Sequence, residues 1–171
     1  MSAENYPFKI GECVIYRQSG IYRIEELKKE RFHSDREQLY YVLKSIHNAQ
    51  SSVFVPAEQD QTNLCLRRPL DKAQVRSLLK HAKSAACDWI ADTKARAVQY
   101  QEFIRSGDTA KIFGVYLRLC AYKAELEQEK RRFYASDEKL LEIAERLIYE
   151  EFSFALGVDK AEIPKLIRQA L

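Results

Sequence analysis

Phe8-Lys9-Ile10-Gly11-Glu12, Val14-Ile15-Tyr16, Gly20-Ile21-Tyr22-Arg23-Ile24, Tyr40-Tyr41-Val42-Leu43 and Val53-Phe54-Val55-Pro56 are the runs whose reading decides the fold. β-branched and aromatic side chains fill each of them, as they do in short strands. Gly11, Gly20 and His47-Asn48-Ala49-Gln50 punctuate them where turns are needed. About five antiparallel strands fit this pattern, arranged as a small twisted β-barrel of the kind that docks on other proteins.

The composition changes at Arg68-Pro69-Leu70-Asp71, after which no proline occurs until Pro164. We place the domain boundary there, with residues 1–68 as the β-domain and 69–171 as a helical bundle of about five helices. Asp71 with Gln74 forms a capping box ahead of Val75, Leu78 and Leu79, so a first helix is predicted to run to about Ser84. A second is predicted from Asp88 to Arg105, with Trp89, Ala97, Tyr100, Phe103 and Ile104 as buried candidates and Ser106-Gly107 as its stop. Asp108 restarts the chain into a third helix, in which Ile112, Val115, Tyr116, Leu119, Cys120 and Leu126 recur at helical spacing and Gly114 allows close approach. Ser136 or Asp137 caps a fourth, whose broad apolar face marks it as central, and Gly157 ends it. A short last helix begins between Asp159 and Pro164.

The chain has 171 residues, 46% of them hydrophobic, which suits one or two small globular domains. Its first twenty residues lack a basic start followed by an apolar block, and its apolar runs are only a few residues long, so neither a signal peptide nor a membrane span is expected and the cytoplasm is the expected location. Cys13, Cys65, Cys87 and Cys120 are scattered, with no Cys-x-x-Cys pair and no histidine at ligand spacing; the expectation is reduced, buried thiols and no metal.

A net charge of +3 is too weak to announce a nucleic-acid binder, but its distribution is uneven. Between Lys72 and Arg105 seven basic residues face three acidic ones, whereas from Glu125 to Glu151 nine acids face five bases. Any phosphate contact is therefore expected on the first helices of the bundle. No nucleophile beside a base, no phosphate-cradling glycine loop and no convergent carboxylate pair is legible, so neither an enzyme nor a cofactor is expected. His33, His47 and His81 read as solvated, and Glu150-Glu151 as a solvated helix face, because adjacent helical residues point about 100° apart.

The ordered set Phe-x-Ile-Gly-Glu, Val-Ile-Tyr, Ile-Tyr-Arg-Ile, Tyr-Tyr-Val-Leu and Val-Phe-Val-Pro resembles the amino-terminal domain of the CarD/CdnL/TRCF family. The resemblance continues through Trp89, Ser106-Gly107-Asp108, Asp137-Glu138-Lys139, Ala144-Glu145 and Glu150-Glu151. It implies a Tudor/SH3-like barrel that binds RNA polymerase through its β subunit, joined to an all-α domain. The family name also covers the polymerase-binding module of a DNA-translocating repair ATPase; this chain, without a phosphate-binding loop, resembles the free-standing transcription regulators.

The same resemblance assigns sites. Leu27, Lys28 and Phe54 match the polymerase-binding positions, where similar domains pair a strand edge and add charged contacts. Strand alternation by itself leaves Phe54 facing either inward or outward. Trp89, which the residue pattern reads as either core or surface, matches a tryptophan that wedges into the minor groove at the upstream edge of the melted promoter. Lys80, Lys83, Lys94 and Arg96 would hold the phosphates largely without regard to sequence. The resemblance thus implies a monomeric regulator that stabilises the promoter open complex; a protein-interaction adaptor without DNA contact is the alternative.

Overall fold

The computed structural model describes residues 6–32, 37–47, 52–58 and 66–171; His33, Asn48 to Gln50 and Cys65 lie outside them. The chain divides into two compact units between Pro69 and Leu70.

The first unit is a five-stranded antiparallel sheet built from β1 (Cys13–Tyr16), β2 (Ile21–Glu30), β3 (Gln38–Ser45), β4 (Ser52–Pro56) and β5 (Leu66–Arg67), in the order β4-β3-β2-β1-β5. Two strands of the sequence reading change. Phe8 to Glu12 is not a strand: Gly11 takes φ +85°, and its N–H donates to the Ile24 carbonyl at 2.7 Å across a turn. Phe8 is instead buried beside Tyr41, whose hydroxyl bonds both its N–H and its carbonyl. The fifth strand is Leu66–Arg67, paired with Tyr16 and Ile15. With β4 and β5 as edges, the described residues form an open sheet where a closed barrel was expected; the two-residue β5 pairs with β1 alone.

One face of the sheet carries its core of Phe8, Val14, Ile24, Tyr41, Leu43, Val55, Ala57 and Leu66. A bulge between Ile24 and Glu26 inserts one residue into β2, so that Ile24 and Leu27, three apart, both turn to that face.

The second unit consists of α1 (Lys72–Lys80), α2 (Ala82–Ala85), α3 (Thr93–Arg105), α4 (Thr109–Gln128), α5 (Ala135–Leu156) and α6 (Ile163–Ala170), with a 3₁₀ turn at Lys160–Glu162. Six helices thus stand where about five were expected, because the first predicted helix breaks at His81. The capping box of Asp71 and Gln74 is formed, and Gly157 closes α5 in the left-handed conformation at φ +70°. The core runs through Val75, Tyr100, Ile104, Phe113, Leu119, Ala144, Ile148, Phe152 and Ile167, with α4 and α5 contributing most of it.

Two further readings change. The Asp137 carboxylate does not cap α5 but turns inward to Arg96. Glu150 and Glu151 are buried rather than solvated; Glu151 accepts the Leu70 N–H and the Thr109 hydroxyl, each at 2.9 Å, which fixes the start of the bundle to α4 and α5. Among the described residues no helix is long and apolar enough to cross a membrane, and no cluster of three or more metal-ligating side chains occurs.

Candidate functional site

In the sheet unit, register fixes which side chains share a face. Tyr41 stands between Leu27 and Val55 on the core side, so Leu27 packs against the core. Val42 stands between Glu26 and Phe54, and Tyr40 between Lys28 and Pro56, on the opposite side. The structure therefore brings Lys28 and Phe54 together on the outer face and turns Leu27 away from them.

Phe54 is 38% exposed on the edge strand β4, and Phe32, 48% exposed, meets both it and Tyr40 edge-on with ring centroids 5.1 Å apart. Lys28 pairs with Glu30 at 2.6 Å, and that hydrogen bond and charge raise the ammonium pKa above its ordinary value. An aromatic edge beside a mixed-charge row is a surface that can both add a strand and discriminate its partner. Phe32 was missed by the sequence reading, since it lies beyond the end of β2 and outside every periodic run.

In the helical unit, Trp89 is not in a helix. It lies in the extended segment between α2 and α3, because Asp92, not Asp88, caps α3 by accepting the Ala95 N–H at 2.7 Å. The segment is held by its main chain. The Cys87 N–H donates to the Gly114 carbonyl at 3.3 Å, and the Cys87 carbonyl accepts from Arg118 Nε at 2.7 Å. The Asp88 carbonyl accepts from the Tyr100 hydroxyl at 2.8 Å. Arg96 Nη1 reaches the carbonyls of Ile90 at 2.7 Å and Ala91 at 3.2 Å. Close approach to α4 depends on Gly114, where an added Cβ would stand 2.8 Å from the Ala85 carbonyl oxygen.

Arg96 is 1% exposed, and its Nε and Nη2 form a bidentate pair with the buried Asp137 at 3.1 and 2.7 Å. The resemblance placed Arg96 among phosphate contacts; in the fold it faces inward, and its guanidinium lies 4.4 Å from the Trp89 ring centroid and 5.6 Å from that of Tyr122. Tyr122 meets Trp89 at a centroid separation of 4.2 Å and has Phe133 beside it at 6.0 Å. The indole is thus supported by a cation and a second ring while remaining 38% exposed. Tyr122 and Arg118 carried no signal in sequence, lying on α4 far from Trp89 along the chain, whereas Tyr100 was read as a buried position and is one.

Lys80, Lys83 and Lys94 are all exposed, at the end of α1, on α2 and at the start of α3, so they border the segment that carries Trp89. Asp88 and Asp92 are exposed there too. The electrostatic character of this surface is mixed, and the exposed indole is its most distinctive group.

No curated protein matches the chain. Residues 8–69, which span the sheet unit from the buried Phe8 to the boundary with the bundle, match the family model described as the CarD-like/TRCF RID domain. Through that unit the chain is similar to the CarD-like/TRCF RID domains.

Proposed function

We propose that the protein is a non-enzymatic transcription regulator that docks its sheet unit on the RNA polymerase β subunit and applies its helical unit to promoter DNA at the upstream edge of the bubble. The β4 edge with Phe54 and the neighbouring Lys28 form the polymerase contact; Leu27 supports that surface from the core side. Trp89 contacts the fork, and Lys80, Lys83 and Lys94 hold the adjoining phosphates. The protein acts as a monomer in the cytoplasm.

The observation that carries the DNA reading is the half-exposed indole on a segment whose carbonyls are tied to two helices, α3 and α4. An apolar ring held out in this way has the form of a wedge that stacks on an unpaired base and hinders reclosure of the duplex. Tethering through the sheet raises the local concentration of the helical unit, so weak DNA contacts suffice. Regulation then follows from preference for the melted state over the closed one; about 1.4 kcal/mol shifts that equilibrium about tenfold.

The test is capture by purified polymerase core together with open-complex lifetime. Trp89→Ala should leave capture intact and shorten the lifetime on forked or melted promoters. Unchanged lifetime on several promoters would remove the wedge and favour an adaptor; absence of polymerase capture by the full chain would remove the reading altogether.

A further inference from the structure

We infer that Arg96, together with Tyr122, is a positioning residue that sets the pose of Trp89 before any DNA arrives. The inference rests on the proposed reading of Trp89 as the group that meets the fork.

A buried arginine–carboxylate pair is by itself weak evidence of a role in stability, since well-packed apolar side chains of similar volume often serve as well. Here the four hydrogen bonds of the guanidinium divide between two tasks. Nε and Nη2 are anchored by Asp137 on α5, and Nη1 holds the carbonyls of the two residues that immediately follow Trp89. The same planar group sits 4.4 Å from the indole centroid, where a cation is attracted to the ring quadrupole. Only a forked planar donor can meet a carboxylate, two carbonyls and a ring at once; a lysine ammonium in its place keeps the charge and loses that geometry.

Tyr122 adds the second support, 4.2 Å from the indole, and Phe133 stands beside it. The indole is therefore immobilised in the free protein. A side chain already ordered loses little rotamer freedom on binding, and that saving appears as affinity. Removing either support should free the indole to rotate and weaken fork binding about three- to tenfold, the factor expected for one newly immobilised side chain.

The experiment uses the full chain with a forked DNA duplex as probe, and reads the affinity together with acrylamide quenching of Trp89, the sole tryptophan. Arg96→Lys and Tyr122→Leu, both with cooperative thermal transitions, should raise quenching and weaken fork binding, while in a Trp89→Ala background the same substitutions should cost nothing further. Parent-like quenching and affinity in both variants overturns the inference, as does an equal loss with and without the indole. If Arg96→Lys does not fold, Tyr122→Leu at its half-exposed position decides the matter. If Trp89→Ala binds the fork as the parent does, the DNA reading fails; quenching alone then judges the positioning role, which stands if quenching rises and falls if it does not.

Discussion

Gly114 occupies a site where the chain of α4 and the segment before α3 touch through their backbones. An alanine there gains helix propensity worth about 1 kcal/mol, yet its methyl would lie 2.8 Å from one carbonyl oxygen and 3.3 Å from the Cys87 nitrogen, neither of which can swing aside like a flexible side chain. The clash wins: Gly114→Ala should destabilise the bundle by about 1–3 kcal/mol, read as a lower melting temperature. Because the displaced atoms belong to the segment carrying Trp89, the emission of that tryptophan should shift as well. Phe54 is the opposite kind of residue. Half exposed on an edge strand, it can be changed with little effect on folding, within about 0.5 kcal/mol. Phe54→Glu should keep the thermal transition of the sheet unit and weaken capture by polymerase, as should Lys28→Glu, which places a second carboxylate beside Glu30. Equal retention in a pull-down would move the docking surface elsewhere.

At the level of elements, the choice of cap decides where Trp89 sits. Asp88 and Asp92 are both acceptable N-caps in sequence. Asp92 is used because Arg96, one turn into α3, is drawn to Asp137 and takes hold of the Ile90 and Ala91 carbonyls, which keeps those residues out of the helix. Asp92→Ala should cost about 1 kcal/mol in stability, the usual value of a lost cap, and should reduce hydrogen-exchange protection of the first turn of α3. The governing contact, Arg96 with Asp137, spans 41 residues and left no periodic trace, so the sequence reading extended the helix back to Asp88 and turned Arg96 outward. Local signals did better elsewhere. The capping box at Asp71, the left-handed Gly107 and Gly157, and the close approach at Gly114 were all legible because each depends on a few adjacent residues. β3 and β4 were legible from alternation, whereas β5, two residues long, was too short to carry any pattern, and the bulge in β2 that turns Leu27 inward was invisible. The exposure of Phe54 and Trp89 emerges only from register and packing.

For the molecule as a whole, ionisable groups buried in the helical unit set an alkaline limit. Burial pushes the Cys87 and Cys120 thiols above their ordinary 9.0, and the Tyr100, Tyr116 and Tyr149 hydroxyls above 10.0, since a charged form inside the bundle is poorly solvated. The unfolded chain therefore releases these protons first, and the folded chain holds more of them above about pH 9. The stability these groups contribute is complete below pH 9 and is lost as the pH rises through and beyond that value. Thermal transitions of the helical unit should hold steady from pH 7 to 8.5 and fall by pH 10.5, with the tyrosinate absorbance of Tyr100, Tyr116 and Tyr149 at 295 nm appearing together with unfolding rather than ahead of it. Titration of all ten tyrosines with the fold intact would contradict this.

The segment from Cys87 to Ala91 is secured by its peptide groups together with the side chains of Cys87 and Ile90 on the core and of Trp89 on Arg96 and Tyr122, none of which involves the Asp88 or Ala91 side chains. Its outward side chains are consequently interchangeable without loss of architecture: Asp88 and Ala91 can be exchanged for neutral or basic residues while the ring between them keeps its stance. On the proposed DNA reading, a substitution at either position would act as a dial on phosphate attraction, changing the strength of grip without changing the geometry.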